Sequence, residues 1–404
     1  MIPFSPPRID QKIIDEVTAA LKSGWITTGP RTKLFENKLK EYADVPAVLC
    51  TSSATAGLEL MLRWYGVKEG DEVIVPAYTY CATANVILHC GATPVFIDSG
   101  EDFNISVKEI EKAITEKTKV IIPVDLAGFP CCYDYIKELV NRKNIVDKFV
   151  PATIEQKKLG RIMVLSDAAH SLGGVYKGKK VGSLADITVY SFHAVKNLTT
   201  AEGGAVCLNL PEPFNNTELY KKLCIISLHG QSKDALSKLE IGNWKYDVKE
   251  VGYKYNMTDI QAAMGLAEIE RYDDDMLVKR KQIFDKYSEM LGKHTWAQLP
   301  EYEIKNKTSS YHAFLLRIKN INEDQRDEII SKIFAQEVSV NVHFIPLPML
   351  SLYKGMGFDI KNYPVAYDNF SREISLPVYY DLTDAMVETV ANAVISAVEK
   401  VLST

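Results

Sequence analysis

The chain has 404 residues, of which 47% are hydrophobic and 25% charged, an ordinary balance for a soluble globular protein. This length exceeds what one simple core supports, so we expect two domains, or one large domain with a smaller companion. The formal net charge of -5 provides no basic surface for holding a nucleic-acid backbone. Nucleic acid is therefore excluded as an expected partner.

The N-terminal segment and the cysteines indicate a cytoplasmic protein. The stretch MIPFSPPRID lacks the basic start and apolar core of a signal peptide, and no window approaches the roughly 18 apolar residues of a membrane span. The seven cysteines follow no C-x-x-C spacing, which favours buried free thiols over disulfides or a metal site. We expect neither a membrane partner nor a metal centre.

Apolar runs alternate with amphipathic segments from residue 45 to residue 210. The nearly continuous apolar composition of the runs is typical of central strands covered on both faces. The strand candidates are PAVLC, DEVIVPA, TPVFID, KVIIPVDL, IMVLSDA, DITVYSF and GGAVCLNL, and SATAGLELMLRWYG and ISVKEIEKAITEK are helical patterns between them. This alternation predicts a mostly parallel sheet wrapped by helices, which binds ligands at the carboxyl ends of its strands.

The pattern changes beyond residue 256. Helical patterns cover 257–291, 323–337 and 384–402, and the runs SYHAFLLRI and VSVNVHF resemble strands. We assign 1–255 to a large α/β domain with an N-terminal arm, and 256–404 to linking helices and a small C-terminal α+β domain. The polar stretch near 141–160 is interpreted as a surface insertion without an assigned function.

Several predicted strands are followed by groups that can bind a ligand. The run TSSATAG enters a helix, so the backbone at Ala54 and Thr55 could cradle an anion, although such runs are more often plain N-caps. Tyr80 follows the second strand, where ordinary packing is the alternative. Asp167 and His170 follow IMVLS, and an Asp in this position is about as often a helix cap.

A single lysine, Lys196, lies in the run SFHAVKNLTTAEGGAV among small residues. An isolated lysine is usually a solvated surface residue, so only its context can assign it a role. Pyridoxal 5'-phosphate has a flat ring, a basic ring nitrogen, a phosphate and an aldehyde, and the groups above match all four features. The matching groups are Tyr80 for the ring, Asp167 for the ring nitrogen, Ala54, Thr55 and Ser191 for the phosphate, and Lys196 for the aldehyde. The glycine pair at 203–204 would permit a backbone placement that Cβ atoms forbid.

The sequence resembles the DegT/DnrJ/EryC1/StrS family of nucleotide-sugar aminotransferases, within the fold-type I pyridoxal-phosphate enzymes. The similarity is closest to the branch that aminates 4-keto sugars, which includes UDP-4-amino-4-deoxy-L-arabinose aminotransferase. The motifs that carry the resemblance, in chain order, are GWITTGPRTKLFENKLKEY, TSSATAGLEL, DEVIVPAYTYCATANVILHCGATPVFID, SDAAHSLGG, SFHAVKNLTTAEGGAV, GYKYNMTDIQAAMGL and VHFIPL.

The resemblance implies a role for each matched position. These roles are the Schiff-base lysine for Lys196, the pyridinium partner for Asp167, a neighbour of the cofactor ring and its oxygen for His170, the stacking aromatic for Tyr80, the phosphate cup for Ala54, Thr55 and Ser191, a phosphate contact from the other subunit of a homodimer for Asn256, and a substrate-side residue for His343. The commoner family form of the dimer segment is Asn-Tyr-Arg, whereas this chain has Lys254-Tyr255-Asn256.

The implied reaction is a transfer of an amino group from L-glutamate to a nucleotide-linked keto sugar, such as a UDP- or dTDP-4-keto sugar, in amino-sugar or cell-surface glycan biosynthesis. Lys196 would then serve both half-reactions as general base and acid. A 3-keto-sugar aminotransferase and a non-catalytic nucleotide-sugar-binding scaffold are the alternatives. A sugar dehydratase on the same scaffold carries histidine in place of Lys196, and no G-x-G-x-x-G run supports a dinucleotide enzyme.

Overall fold

A computed structural model describes residues 1–232 and 245–403. The strands are β1 (Ala47–Thr51), β2 (Glu72–Pro76), β3 (Thr93–Ile97), β4 (Thr118–Ile121), β5 (Met163–Asp167), β6 (Val175–Tyr176), β7 (Lys179–Lys180), β8 (Ile187–Ser191), β9 (Gly204–Leu208), β10 (Ala297–Gln298), β11 (Glu303–Ile304), β12 (Lys307–Thr308), β13 (Phe314–Ile318) and β14 (Glu373–Leu376).

The α-helices surround these strands and supply most of the covering layers. They are α1 (Gln11–Lys22), α2 (Pro30–Ala43), α3 (Ala54–Tyr65), α4 (Cys81–His89), α5 (Val107–Ala113), α6 (Tyr133–Asn141), α7 (Lys143–Val146), α8 (Ile154–Leu159), α9 (Asn216–Ile226), α10 (Asp259–Ile269), α11 (Val278–Leu291), α12 (Glu323–Phe334), α13 (Ser351–Gly355), α14 (Pro364–Arg372) and α15 (Asp384–Leu402).

The largest sheet has seven strands in the order β1-β9-β8-β5-β4-β2-β3. All neighbouring strands are parallel except β9, which is antiparallel to both β1 and β8. These seven strands are the ones that the apolar runs predict, so the α/β fold class with a mostly parallel sheet is confirmed. Because six strands share one direction, their carboxyl ends meet along one edge, where parallel sheets bind ligands.

Two further antiparallel sheets lie outside the large one. Strands β10, β13 and β14 form a three-stranded sheet in the C-terminal part, next to α11, α12 and α15. A small sheet in the order β11-β12-β6-β7 joins residues 303–308 to residues 175–180. The C-terminal segment is thereby attached to the loops beyond β5, which brings its side chains near the carboxyl edge of the large sheet.

The buried apolar residues form two clusters. One surrounds the seven-stranded sheet and includes residues of α10, and the other is formed by residues from 283 onward around the three-stranded sheet. The first cluster also includes C-terminal residues such as Leu315 and Phe370. The assignment of 1–255 and 256–404 to two domains stays a prediction.

Two sequence interpretations change in the structure. The run VSVNVHF forms only isolated bridges, Ile2 with Val338 and Asn341 with Ser375, because its later residues turn toward a cavity at the carboxyl edge of the large sheet instead of pairing along their length. The polar stretch near 141–160 contains α7 and α8, and its buried Gln156 donates to the Tyr65 carbonyl oxygen (3.0 Å). Tyr65 is the last residue of α3, whereas the first residue of α3 lies at the carboxyl edge of the sheet. The polar stretch therefore packs at the opposite edge of the sheet.

Candidate active site

A cavity of about 750 Å³ opens at the carboxyl edge of the seven-stranded sheet. Eight of the nine predicted site residues line it, drawn from five separate stretches of the chain. They are Ala54, Thr55, Tyr80, Asp167, His170, Ser191, Lys196 and His343. The fold therefore brings nearly the whole predicted set to one place.

The start of α3 forms one end of the cavity. Ser53 caps this helix in an extended conformation, and its Oγ accepts a hydrogen bond from the Ala56 amide (3.0 Å). The amides of Ala54 and Thr55 form no hydrogen bond within the described residues, so both remain available to an anion. A Cβ on Gly204 would lie 2.5 Å from the Ala54 nitrogen, so glycine is required by close packing at this strand start.

Asp167 ends β5 and is buried beneath the cavity. Its Oδ2 accepts from Thr83 Oγ1 (2.8 Å) and its Oδ1 accepts from the Ala169 amide (3.2 Å). Burial raises the pKa of Asp167 above its usual range, while these hydrogen bonds and the charge of Lys196 act in the opposite direction. Such a carboxylate would gain from a cationic partner in the cavity, because it has no ion-pair partner among the described residues.

Thr83 is a site residue that the motif analysis did not single out. Its hydroxyl lies between Asp167 and Thr79 Oγ1, which is 3.1 Å from Thr83 Oγ1. The two threonines are four residues apart, with Thr83 in the first turn of α4 and Thr79 just before its N-cap residue, Tyr80. The sequence shows this spacing, but no linear motif connects Thr83 to Asp167, which ends a strand more than eighty residues away.

Lys196 follows β8 in a short turn, where its amide donates to the His193 carbonyl oxygen (2.9 Å). Its side chain is only partly accessible, through the cavity. Burial lowers the pKa of Lys196 to about 8, and the negative charge of Asp167 limits this decrease. A usable fraction of the amine is therefore neutral, and nucleophilic, near physiological pH.

His170 is held in one tautomer beside Lys196. Its Nδ1 accepts a hydrogen bond from the Ala127 amide (3.2 Å), so a neutral His170 carries its proton on Nε2. Its ring is stacked on His312, with the centroids 4.3 Å apart and an interplanar angle of 29°. Burial lowers the pKa of both histidines well below the usual range, with the charge of Lys196 adding to the effect.

His312 is a second residue absent from the predicted set. Its Nδ1 lies 2.8 Å from Asn197 Oδ1, and Asn197 Nδ2 donates to the Ser310 carbonyl oxygen (2.7 Å). The residue after the candidate catalytic lysine therefore holds a segment that precedes β13. A histidine before a strand was visible in the run SSYHAF, but only the fold places it against His170.

Tyr80 and Ser191 lie nearer the rim of the cavity. Tyr80 is 58% exposed, and its ring centroid is 5.7 Å from that of Phe344. Ser191 is the last residue of β8, and its Oγ accepts from the His193 amide (3.4 Å). The accessible ring face and hydroxyl can both serve a ligand, while their roles in stacking and phosphate binding stay predictions.

Asn256 does not line the cavity of its own chain. Its Nδ2 donates to Thr28 Oγ1 (2.7 Å), and its backbone forms a bridge with Thr51 at the end of β1. Lys254, which replaces the first residue of the commoner Asn-Tyr-Arg form, is exposed. A contact of this segment with a second subunit stays a prediction.

Comparison with known proteins identifies the family. Residues 7–148 and 151–395 match the DegT/DnrJ/EryC1/StrS aminotransferase family. The chain belongs to this family. Among the curated members, the spore coat polysaccharide biosynthesis protein SpsC of Bacillus subtilis is 34% identical over 401 residues, which cover 97% of this chain and 96% of SpsC.

Solved structures of family members agree with the fold. Spr1654 of Streptococcus pneumoniae, a protein assigned as a sugar aminotransferase, is 46% identical in its PMP-form, with a TM-score of 0.95 and coverage of 99% of this chain and 100% of that one. Its PLP-form is 44% identical, with a TM-score of 0.94 and 99% coverage of both chains. Helicobacter pylori PseC, an aminotransferase of pseudoaminic acid biosynthesis, is 29% identical, with a TM-score of 0.85 and 99% coverage of both chains.

Three features of the described residues concern membrane-spanning helices, metal clusters and disulfide bonds. Within 1–232 and 245–403, no helix is long and apolar enough to cross a membrane, and no cluster of three His, Cys, Asp or Glu side chains could hold a metal ion. All seven cysteines are free, and four of them are buried.

Proposed function

We propose that this family member is a pyridoxal-phosphate-dependent aminotransferase that transfers an amino group from L-glutamate to a nucleotide-linked keto sugar, either a UDP- or a dTDP-4-keto sugar. The observation that carries the proposal is the meeting of Lys196 and Asp167 in one cavity beside the open start of α3. The names of its relatives support a role in amino-sugar or polysaccharide biosynthesis, and the PLP- and PMP-forms of Spr1654 support the cofactor.

The residues present fit pyridoxal phosphate. The unpartnered amides at Ala54 and Thr55 would hold the phosphate, Ser191 would add a hydroxyl, and Asp167 would hold the protonated ring nitrogen. When bound, the cofactor would supply an aldehyde that condenses with amines and a ring that accepts electrons. A neutral ligand would leave the buried Asp167 carboxylate without compensation, so the chemistry of the pocket favours a cationic ring.

Lys196 is the residue that can move a proton in this cavity. With a pKa of about 8, its Nζ can accept a proton as a neutral amine and return it as an ammonium group near neutral pH. Asp167 remains anionic while its ligand is cationic, and Thr83 fixes the direction of its carboxylate. His170, neutral and donating from Nε2, can bind an oxygen atom of the ligand without adding positive charge.

The substrate is tested with a panel of UDP-, dTDP- and GDP-linked keto sugars that differ in a 4-keto or 3-keto group. Each is incubated with the purified protein and L-glutamate, and the amino sugar and 2-oxoglutarate are measured together by mass spectrometry. We expect equal amounts of both products from a UDP- or dTDP-4-keto sugar. Preferential turnover of a 3-keto sugar would change the substrate assignment, and absence of transfer with all acceptors would favour the binding scaffold.

We further propose a homodimer with shared active sites, in which Asn256 of one subunit contacts the phosphate of the other. The support is that Asn256 is half-buried beside the end of β1 and lies outside the cavity of its own chain. Inactive Lys196→Ala and Asn256→Trp proteins are mixed after each is checked for folding and dimer formation. Random exchange gives about half heterodimers, and a shared site restores roughly a quarter of wild-type sites. No recovery after verified exchange would place Asn256 in its own site.

A further inference from the structure

A chain of hydrogen bonds leads from the interior of the C-terminal part to the cavity. Ser375 Oγ lies 2.5 Å from Glu373 Oε1 and 2.9 Å from His343 Nδ1. The other oxygen, Glu373 Oε2, accepts from the His343 amide (3.1 Å). Glu373 and Ser375 are fully buried on β14, whereas His343 lines the cavity. A buried carboxyl group is thereby connected to a residue at the predicted substrate side.

The His343 ring is held by stacking as well as by the hydrogen bond at Nδ1. Phe4, in the N-terminal arm, stacks on it with a centroid distance of 5.5 Å and an interplanar angle of 23°. Its Nε2 forms no hydrogen bond with the described residues, so this nitrogen is the one free to meet a ligand. The orientation of the ring is fixed, and only the location of its proton remains to be decided.

The number of protons in the chain decides that location. Ser375 has a single hydroxyl proton, so it can donate to only one neighbour and must accept from the other. If Glu373 is ionised, Ser375 donates to the carboxylate and accepts from Nδ1–H, which leaves Nε2 as an acceptor. If one more proton is present, on the carboxyl group or on the imidazole, Nε2 carries a hydrogen and is a donor.

We propose that Glu373 and Ser375 are positioning residues that set, through this chain, whether His343 Nε2 presents an acceptor or a donor to the substrate. The inference deepens the proposed function, because the ligand at Nε2 is a hydroxyl or carbonyl oxygen of the keto sugar. A donor suits a carbonyl oxygen, and an acceptor suits a hydroxyl group. The same histidine can therefore favour different sugar groups according to its proton.

The surroundings make this choice sensitive to pH. Burial raises the pKa of Glu373 to about 8, although Arg326 on α12 and Arg317 on β13 act to lower it. Tyr78, before α4, also faces the carboxyl group and is itself buried and neutral. Burial and the charge of Lys196 lower the pKa of His343 to about 4, while His170 and His312 face it as neutral groups. The extra proton is therefore bound below about pH 8. Because Glu373 and His343 share it through Ser375, the two groups titrate as a unit.

Glu373→Gln provides a sharp test, because its amide can fit in only one way. The His343 amide requires an acceptor at the Oε2 position, so the glutamine NH₂ group must face Ser375. Ser375 then donates to Nδ1, and Nε2 is locked as a donor. Ser375→Ala breaks the chain, and Ser371→Ala is the matched control, since Ser371 is a buried serine bonded to the Asp368 carbonyl oxygen instead.

The test measures the histidine ¹⁵N shifts of the full-length, cofactor-loaded protein between about pH 6 and pH 10. His343→Asn is used only to assign the signal. We expect Nε2 of the wild type and of Ser371→Ala to change from protonated to unprotonated near pH 8, and Nε2 of Glu373→Gln to stay protonated throughout. Loss of the transition in Ser375→Ala, with Nε2 no longer following Glu373, is the second expected result.

A kinetic measurement adds the consequence for the substrate. The KM for the keto sugar in the wild type should change about tenfold through this pH range, with a smaller change in kcat, and Glu373→Gln should remove that change. A wild-type Nε2 that keeps one protonation state across the range, or a transition retained in Ser375→Ala, would overturn the inference. Failure of all acceptors in the aminotransferase assay would leave the ¹⁵N result intact, so the two proposals fail separately.

Discussion

The two walls of the cavity differ in charge. The sheet wall, formed by residues that follow β1, β2, β5 and β8, carries the opposite charges of Lys196 and Asp167 together with open amides at the start of α3. The C-terminal wall, formed by His312 and residues 341–350, faces them with the Phe344 ring and with two histidines, His312 and His343, whose pKa values are lowered by burial. Under the proposed function, the first wall would hold the cofactor and the second would face the sugar.

This difference follows from how each wall is supported. Both charged groups follow parallel strands, and the Asp167 carboxylate is stabilised there by hydrogen bonds from Thr83 and the Ala169 amide. On the C-terminal wall, His343 is packed against the rings of Phe4 and Phe344, and this apolar packing disfavours an added charge. Substitutions that remove charge from the sheet wall should therefore damage the chemistry more than substitutions that alter the neutral wall.

The largest effect is expected for Lys196→Ala, which removes the amine proposed to form the covalent bond to the cofactor. Turnover should fall below detection, together with the visible absorbance band that depends on that bond. The measurement compares spectra and amino transfer with those of Lys179→Ala, which alters an exposed lysine on β7. Transfer by Lys196→Ala near the wild-type rate would contradict the assignment of the sheet wall.

Asp167→Asn should have the next largest effect, because it keeps the shape of the side chain but removes the charge proposed to hold the ring nitrogen of the cofactor. We expect weaker cofactor binding and a rate reduced by about 100-fold or more. Cofactor titration by fluorescence and steady-state kinetics measure the two effects, with the surface variant Asp273→Asn as control. Kinetics equal to wild type would exclude the electrostatic role of Asp167.

Thr83→Val should cause a smaller loss, of about tenfold, because it removes one hydrogen bond to Asp167 and leaves the charge. That hydrogen bond lowers the pKa of Asp167, so its removal should raise this pKa further. Asp167 would then become protonated at a higher pH, and the acid limb of the kcat/KM profile should move to higher pH. Thr79 contacts Thr83 but not Asp167, so Thr79→Val should move the acid limb less. An equal displacement, or one in the opposite direction, would contradict the proposed role of Thr83.

The smallest effect is expected on the neutral wall. His312→Ala removes the ring stacked on His170 and should raise the keto-sugar KM by about fivefold, with little change in kcat. His312→Phe retains the stacking surface and should restore most of the affinity. A loss in His312→Ala as large as that of Asp167→Asn would show that this wall takes part in the chemistry and would remove the distinction between the walls.

The elements with the strongest local sequence patterns were predicted correctly. The seven apolar runs became the seven strands of the large sheet, and the run from Asp384 formed one helix to Leu402 as its periodicity predicts. VSVNVHF has the composition of a strand, but its backbone turns toward the cavity and pairs only at single positions. Local propensity cannot report that competition, since the decisive contacts come from Ile2 and β14.

The sequence by itself determined the fold class, the family and the small-residue motifs that carry Lys196, Asp167 and the start of α3. These are encoded in contiguous runs, because strand periodicity and helix capping act over a few residues. Only the tertiary structure decided that Thr83 orients Asp167, that His312 stacks on His170, and that Glu373 reaches His343 through Ser375. The physical reason is that hydrogen bonds and burial depend on distances between segments far apart in the chain, and burial is what displaces the pKa values of these groups.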